Sequence, residues 1–214
     1  MEGETSASIA NQMTMFNERV LPTLDSNIKS GNSLIDLDYY DTQLDFGEEK
    51  KIKPFSWQKS FTEVFKRGGF DVVIGNPPYV RIQTLQENNP KQVFDYFKTG
   101  YKSAETGNYD LYVLFIEKGY KLLNEKGLLG YIQPHKFFQS EFGEGIRNYI
   151  AIHQALEEVV HFGANQIFDG ATTYTCLLFL NKKKNNKFTL IDVANPSEWS
   201  HDKVVSEQYQ IEQP

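Results

Sequence analysis

The stretch FDVVIGNPPYVRI, residues 70–82, constrains this chain more than any other. Val72, Val73 and Ile74 form an unbroken β-branched run, which favours extended backbone. Because the run does not alternate with polar residues, it reads as a strand buried on both faces. Gly75 closes it, and Pro77 and Pro78 cannot continue a hydrogen-bonded ladder, so the chain must leave the strand through a rigid turn. Just before the strand, SFTEVFKRGGF sets Phe61, Val64 and Phe65 on one helical face and stops at Gly68-Gly69.

From Asp71 onward, helix-period and strand-period segments alternate. NYDLYVLFIEKGYKLLNEKG predicts a helix with Tyr112, Phe115, Ile116, Tyr120 and Leu123 on one stripe, Asn108 as its cap and Gly127 as its end. LLGYIQP predicts a strand, SEFGEGIRNYIAIHQ a helix, and LEEVVHF and TYTCLLFLN two more strands. KKKNN is a turn and KFTLIDV a last strand. Such alternation builds an α/β fold with a mostly parallel sheet and helices on both faces. Residues 156–162 and 173–180 are too close for a helical crossover, which predicts an antiparallel edge pair. Upstream, LDSNIKSGNSLID predicts a short strand and a Gly-Asn-Ser turn; 38–60 reads as loop or helix. Residues 83–107 hold at most one short helix, near KQVFDYF.

Composition narrows the class. A chain of 214 residues supports one sizeable core. A net charge of −6 excludes a general polyanion binder but leaves room for a local basic patch. One cysteine, Cys176, excludes an internal disulfide and fits a reducing compartment. No apolar run reaches membrane-spanning length, and MEGETSASIANQ lacks a signal-peptide layout. A cytoplasmic protein is the simplest reading.

In an open sheet, sites form where loops leave the carboxyl ends of strands, and Asn76-Pro77-Pro78-Tyr79 is such a loop. A Pro-Pro turn is ordinarily only a strand terminator. Here an amide precedes it and an aromatic follows. Asn76 offers a side-chain carbonyl, and Pro77 a backbone carbonyl on a fixed φ. Together they are a rigid pair of acceptors beside the flat ring of Tyr79. The matching guest is a planar group with an NH2, such as the exocyclic amine of a base, stacked on Tyr79 for about 1–3 kcal/mol. His135 and His161 read as scaffold residues, Lys182-Lys183-Lys184 as a solvated turn, and Cys176 as an inert strand residue.

With DVVIGNPPYV, the flanking stretches LDSNIKSGNSLI, GNYDLYVLFIEKGYKLLNEKGLLGYIQPHKFF and VVHFGANQIFDGATTYTCLLFLNK resemble the N6-adenine DNA methyltransferases of type II restriction–modification systems, the TaqI-like enzymes and those with a fused nuclease. The resemblance covers about residues 21–183. It implies a Rossmann-like methyltransferase sheet, S-adenosylmethionine as cofactor, double-stranded DNA as partner, and no metal. It further implies that Asn76 and Pro77 accept from the amine of a flipped-out adenine, with Pro78 completing the turn, Tyr79 stacking on the base and Phe168 as the second stacking aromatic across one cavity. Asn32 takes the position where the family more often has Asp against the cofactor's adenine, and Phe115 matches an aromatic near the cofactor.

The chain departs from the family in two ways. No Gly-rich cofactor loop precedes Asn32, and no target-recognition domain follows Lys184. Residues 1–20 therefore read as a polar segment, 21–183 as the catalytic part of an adenine methyltransferase domain, and 184–214 as the start of a following region. The expectation is a partial domain with an incomplete cofactor pocket, inactive by itself. Strand 70–75 should then be an unprotected edge, covered by residues 21–36, a second copy or the missing N-terminal half. Two alternatives stay open: an RNA base or protein glutamine as acceptor, or an inactive fragment that binds a partner subunit.

Overall fold

The computed structural model describes residues 26–41, 49–105, 107–168, 173–196 and 207–210. Six strands form one sheet: β1 (Phe70–Gly75), β2 (Leu123–Pro134), β3 (Leu156–His161), β4 (Thr175–Asn181), β5 (Lys187–Asp192) and β6 (Glu207–Gln210), in the order β1-β2-β4-β3-β5-β6. β1 runs parallel to β2, and β3 to β5; β4 is antiparallel to both β2 and β3, and β6 to β5. Four strands thus share one direction, with β4 and β6 opposed. Three longer helices accompany them: α1 (Lys91–Gly100), α2 (Tyr112–Leu122) and α3 (Glu144–Ile152). No helix among the described residues is long and apolar enough to cross a membrane.

The α/β alternation expected from the sequence is present, with several corrections. The pair β3–β4 is antiparallel, but it is internal, flanked by β2 and β5. A short link forces β4 to return antiparallel; it does so by inserting between β2 and β3. β1 lies at the sheet edge and is not buried on both faces: Val72 is 56% and Ile74 79% exposed. Apolar continuity measures a strand's capacity for burial, which here is used on one face only. Among the described residues β1 pairs with β2 alone, so its outer edge is open and residues 26–36 do not pair with it. The part of the expected cover before residue 26 lies outside the described residues, as does the polar segment 1–20.

The helix expected to run to Gly127 ends at Leu122, because Leu123 is taken into the sheet opposite Phe70. Its N-cap is Leu111 rather than Asn108, whose side chain instead accepts from Gln83 Nε2 at 3.0 Å. Residues 27–36 make a single bridge, Asn32 to Pro54, where a strand was expected, and then a 3₁₀ turn, Leu37–Tyr40. The stretch 83–107 holds more helix than expected: a turn at Ile82–Gln86, the ten-residue α1 and a 3₁₀ turn at Lys102–Ala104. Strand β6 was not foreseen.

Local chemistry explains the register around the Asn76-Pro77-Pro78-Tyr79 turn. The helical turns Trp57–Ser60 and Thr62–Lys66 end where Gly68 and Gly69 adopt φ of +96° and +126°. A Cβ on Gly69 would lie 2.5 Å from the Leu122 carbonyl, so only glycine lets the chain enter β1 here. Trp57, Phe61 and Phe65 each pack edge-on against Phe70 or, for Trp57 and Phe61, also stack on one another. Across the sheet, Gly119 lets α2 approach β2, since a Cβ there would meet Tyr131 Oη at 2.5 Å and Leu129 Cδ1 at 2.6 Å.

The main core lies between α2 and the face of the sheet bearing Leu129, Leu178 and Leu180, all fully buried. A smaller cluster on Val160, Phe162, Ile191 and Val193 packs with Leu177 and Phe179. Within the helical layer, fully buried Glu117 on α2 accepts from Lys102 N, Ser103 N and Ser103 Oγ, and pairs with Lys121 Nζ at 2.6 Å. That carboxylate ties the 3₁₀ turn at 102–104, and through it α1, to α2, satisfying amides that would otherwise be orphaned.

Candidate active site

The Asn76-Pro77-Pro78-Tyr79 turn leaves the carboxyl end of β1, as the sequence expects. Pro77 is buried; Asn76 and Pro78 are exposed. Neither the Asn76 amide nor the Pro77 carbonyl is taken by a hydrogen bond among the described residues. The two acceptors are therefore unused and held on a proline-stiffened backbone. Beyond the turn, Val80 accepts from Leu111 N at 2.7 Å and Ile82 N donates to Tyr109 at 3.0 Å, with Arg81 bridged to Asp110 between them. This short ladder fixes the direction in which the turn exits.

Tyr79 is held at both ends. Its hydroxyl donates to the Ile132 carbonyl on β2 at 3.2 Å, and its ring meets Tyr112 edge-on at 6.5 Å. Burial, and to a lesser extent the nearby Cys176 thiol, push its pKa up to about 12, so it is a neutral phenol at physiological pH. Tyr112 is itself propped edge-on by Phe137 at 6.1 Å. The Tyr79 ring thus rests on the main core.

Two cavities meet at the turn. One, of about 240 Å³, is lined by Asn76, Pro77 and Pro78 together with Phe115, Trp57 and Lys118. The other, of about 630 Å³, begins at the next residue, with Tyr79, Arg81, Asp110, His135, Lys136 and Tyr174 among its walls. The structure therefore brings Phe115 to the acceptor pair and Tyr79 to the larger cleft. Asn32 lies beside the smaller cavity rather than in its wall; its neighbour Ser33 lines it. The Asn32 side-chain oxygen accepts from Leu34 N at 3.1 Å, which orients the amide. Phe168 is 36% exposed and outside the core, and it is not in the wall of the Tyr79 cleft. Tyr174, from the same connection between β3 and β4, is in that wall.

Most wall residues escaped the sequence reading as site residues, among them Trp57, Lys118 and His135. Trp57 donates from Nε1 to the Ser33 carbonyl at 3.0 Å, which joins the 27–36 segment to the cavity. Its signal was its place just before Phe61 and Phe65 on an aromatic helical face. Lys118 follows Phe115 by one helical turn, so α2 presents both to the cavity. Burial lowers its pKa. His135, read as a satisfied scaffold residue, lines the larger cleft; its Nδ1 is buried without a partner and its ring stacks on His161 at 4.4 Å. Burial, then His161, lower its pKa. Cys176 sits as expected in an apolar strand, whereas of the three lysines read as a solvated turn only Lys183 and Lys184 are exposed and Lys182 is tied to the protein. Cys176 is buried and its thiol pKa is pushed up to about 12 by desolvation. Lys182 donates to the Leu123 carbonyl and lies over the Tyr120 ring.

Comparison with known proteins places this geometry. The family described as Eco57I restriction-modification methylase matches residues 5–168. The type II restriction enzyme and methyltransferase RM.Eco57I of Escherichia coli is 37% identical over 199 residues, 93% of this chain and 18% of that enzyme. The type II methyltransferase M.HincII of Haemophilus influenzae is 28% identical over 168 residues, 78% of this chain and 33% of its own. The chain thus spans only a fraction of these relatives' length. Among solved structures, the ATP-dependent Type ISP restriction-modification enzyme LlaBIII bound to DNA superposes with a TM-score of 0.52 at 14% identity, over 89% of this chain and 14% of that one. The Type IIL restriction-modification enzyme MmeI in complex with DNA gives 0.50 at 15%, over 69% and 20%. These likenesses identify the fold, and the family match identifies the lineage: the chain belongs to the Eco57I restriction-modification methylase family.

Proposed function

We propose that this chain carries the catalytic turn of an S-adenosylmethionine-dependent methyltransferase that acts on the exocyclic amine of adenine in DNA. The observation that supports it best is the unused acceptor pair of Asn76 and Pro77 between two cavities, one at Phe115 and one at Tyr79.

An adenine amine is a poor nucleophile because its lone pair is delocalised into the ring. Asn76 Oδ1 and the Pro77 carbonyl accept its two N–H bonds and draw the nitrogen toward tetrahedral geometry. The lone pair then points toward the smaller cavity. Fixed acceptors act by orientation and electrostatics, without solvent reorganisation. Tyr79 holds the base by its face, offsetting part of the few kcal/mol needed to extrude it from the duplex. The cofactor, when bound, supplies an electrophilic methyl group on sulfur. Phe115 and Trp57, in the cavity wall, would hold its adenine by apolar contact; Asn32, beside the wall with its Oδ1 already accepting from Leu34 N, would add a hydrogen bond donated from Nδ2. The fit is partial, because a cavity of about 240 Å³ is smaller than the roughly 300–1,000 Å³ that encloses a whole ligand. The chain supplies one wall of that pocket, so alone it binds the cofactor weakly, which calorimetric titration checks.

The deciding experiment is transfer of a radiolabelled methyl group by the complete enzyme to DNA, RNA and protein acceptors. Asn76→Ala is expected to lower turnover at least about 10²-fold, the scale for losing one group that stabilises a transition state, with cofactor affinity retained. A loss confined to substrate affinity would contradict the assigned role. Preferential labelling of RNA or of protein glutamine would move the same chemistry to another acceptor.

A further inference from the structure

The larger cleft contains two cations that the amine chemistry does not use. Arg81 follows Tyr79 by two residues, and Lys136 follows the end of β2; both are exposed and both line the cleft with Tyr79. Arg81 is bridged backbone-to-backbone to Asp110, yet no ion pair or hydrogen bond joins its guanidinium to a described residue. Lys136 Nζ lies over the Phe142 ring, 5.7 Å from its centre, which steers the ammonium without neutralising it. Asp110 is the cleft's only described carboxylate, half-buried, and both cations lie near enough to act on its charge. Elsewhere the chain is acidic, so this is a local exception to a net charge of −6.

We infer that Arg81 and Lys136 form a phosphodiester clamp that holds the DNA strand on either side of the base stacked on Tyr79. The inference rests on the reading of the cleft as a nucleotide site and deepens it. A base placed on Tyr79 must bring its own sugar-phosphate into the same cleft. A guanidinium fork free of protein partners matches a phosphate's two oxygens, and an ammonium serves as a point charge for the next. Asp110 opposes the anion and competes with it for the two cations. Contacts of this kind fix register and carry no sequence information.

The test is fluorescence anisotropy of a labelled duplex of about 20 base pairs, bound by this chain over a range of low salt concentrations. Arg81→Gln and Lys136→Gln are each expected to weaken binding and to make the plot of log affinity against log salt shallower by about 0.9, with both together giving about twice that. Asp110→Asn should tighten binding. Lys66→Gln, an exposed cation already paired with Glu63 at 2.7 Å, should change neither slope nor affinity. The slope changes should be the same on a duplex of G·C pairs alone, so the clamp stands or falls independently of adenine as acceptor, which Asn76→Ala reads. Unchanged slopes in both glutamine variants, or no binding by the parent chain at low salt, would overturn the clamp.

Discussion

At the β1 edge the two faces of this sheet have similar chemistry and opposite fates. On the face under α2, Leu129, Leu178 and Leu180 are each 0% exposed. On the other face, at the β1 edge, Val72 and Ile74 are 56% and 79% exposed, next to a Val73 that packs against the main core. Three consecutive apolar residues of one strand thus divide between core and surface. What differs is the partner: α2 reaches the first face because Gly119 admits it, whereas among the described residues nothing of comparable size covers Val72 and Ile74. Along β1 the burial is on the α2 face alone, although further along the sheet Leu177 and Phe179 on the second face pack with Val160, Phe162, Ile191 and Val193; the candidate site is built at the carboxyl end of β1.

That contrast is sharpest in truncations. Leu178→Ala, in the covered face, should cost about 2–5 kcal/mol, the transfer term plus the cavity left behind. Ile74→Ala should lie within about 0.5 kcal/mol, as for exposed positions. Urea denaturation of both variants checks this; equal costs would mean that the second face is buried in solution after all.

A smaller effect probes how the covered face is organised. Glu117→Gln keeps the side chain's shape but removes the charge that meets Lys121 and leaves one oxygen to serve three donors. The expected loss is about 1–3 kcal/mol. Hydrogen exchange should show that loss concentrated at residues 102–104, where the amides bound to Glu117 reside. Uniform loss would mean that the carboxylate only fills space.

How much of this was legible in the sequence depends on the range of the interaction. Gly68-Gly69, the β1 run and the proline turn are local, and their physics is complete within a dozen residues. The acceptor pair was legible for the same reason, since Asn76 and Pro77 are adjacent and Pro77 fixes its own backbone. The end of α2 was not: LNEKG is compatible with helix, and only Phe70, more than fifty residues upstream, takes Leu123 into a strand. The place of β4 was missed because a short link dictates direction but not which neighbour it joins. Trp57 and Lys118 join the cavity through tertiary packing, which periodicity ranks as core face and solvent face. Phe168 shows the reverse limit: a resemblance assigns it a role across the cleft from Tyr79, and the residues just after it, 169–172, lie outside the described structure.

The smallest effect on stability accompanies the clearest effect on association. Among the described residues β1 offers an edge of unpaired backbone groups beside two exposed β-branched side chains, and such an edge templates pairing with another strand. Ile74→Lys sets a charge on that edge. Its cost in urea should be within about 0.5 kcal/mol, because Ile74 is already in solvent. Its effect on self-association should be plain: in light scattering across a concentration series, the parent chain grows in apparent mass while the variant stays at one copy. Lys at Ile152, equally an exposed isoleucine at 64% but on α3 away from the sheet edge, is the control and should leave association unchanged. If both lysines suppress association alike, general charge repulsion is the cause and the edge has no special part. If Ile74→Lys instead costs several kcal/mol, the second face has a cover in solution, and the asymmetry between the two faces is lost.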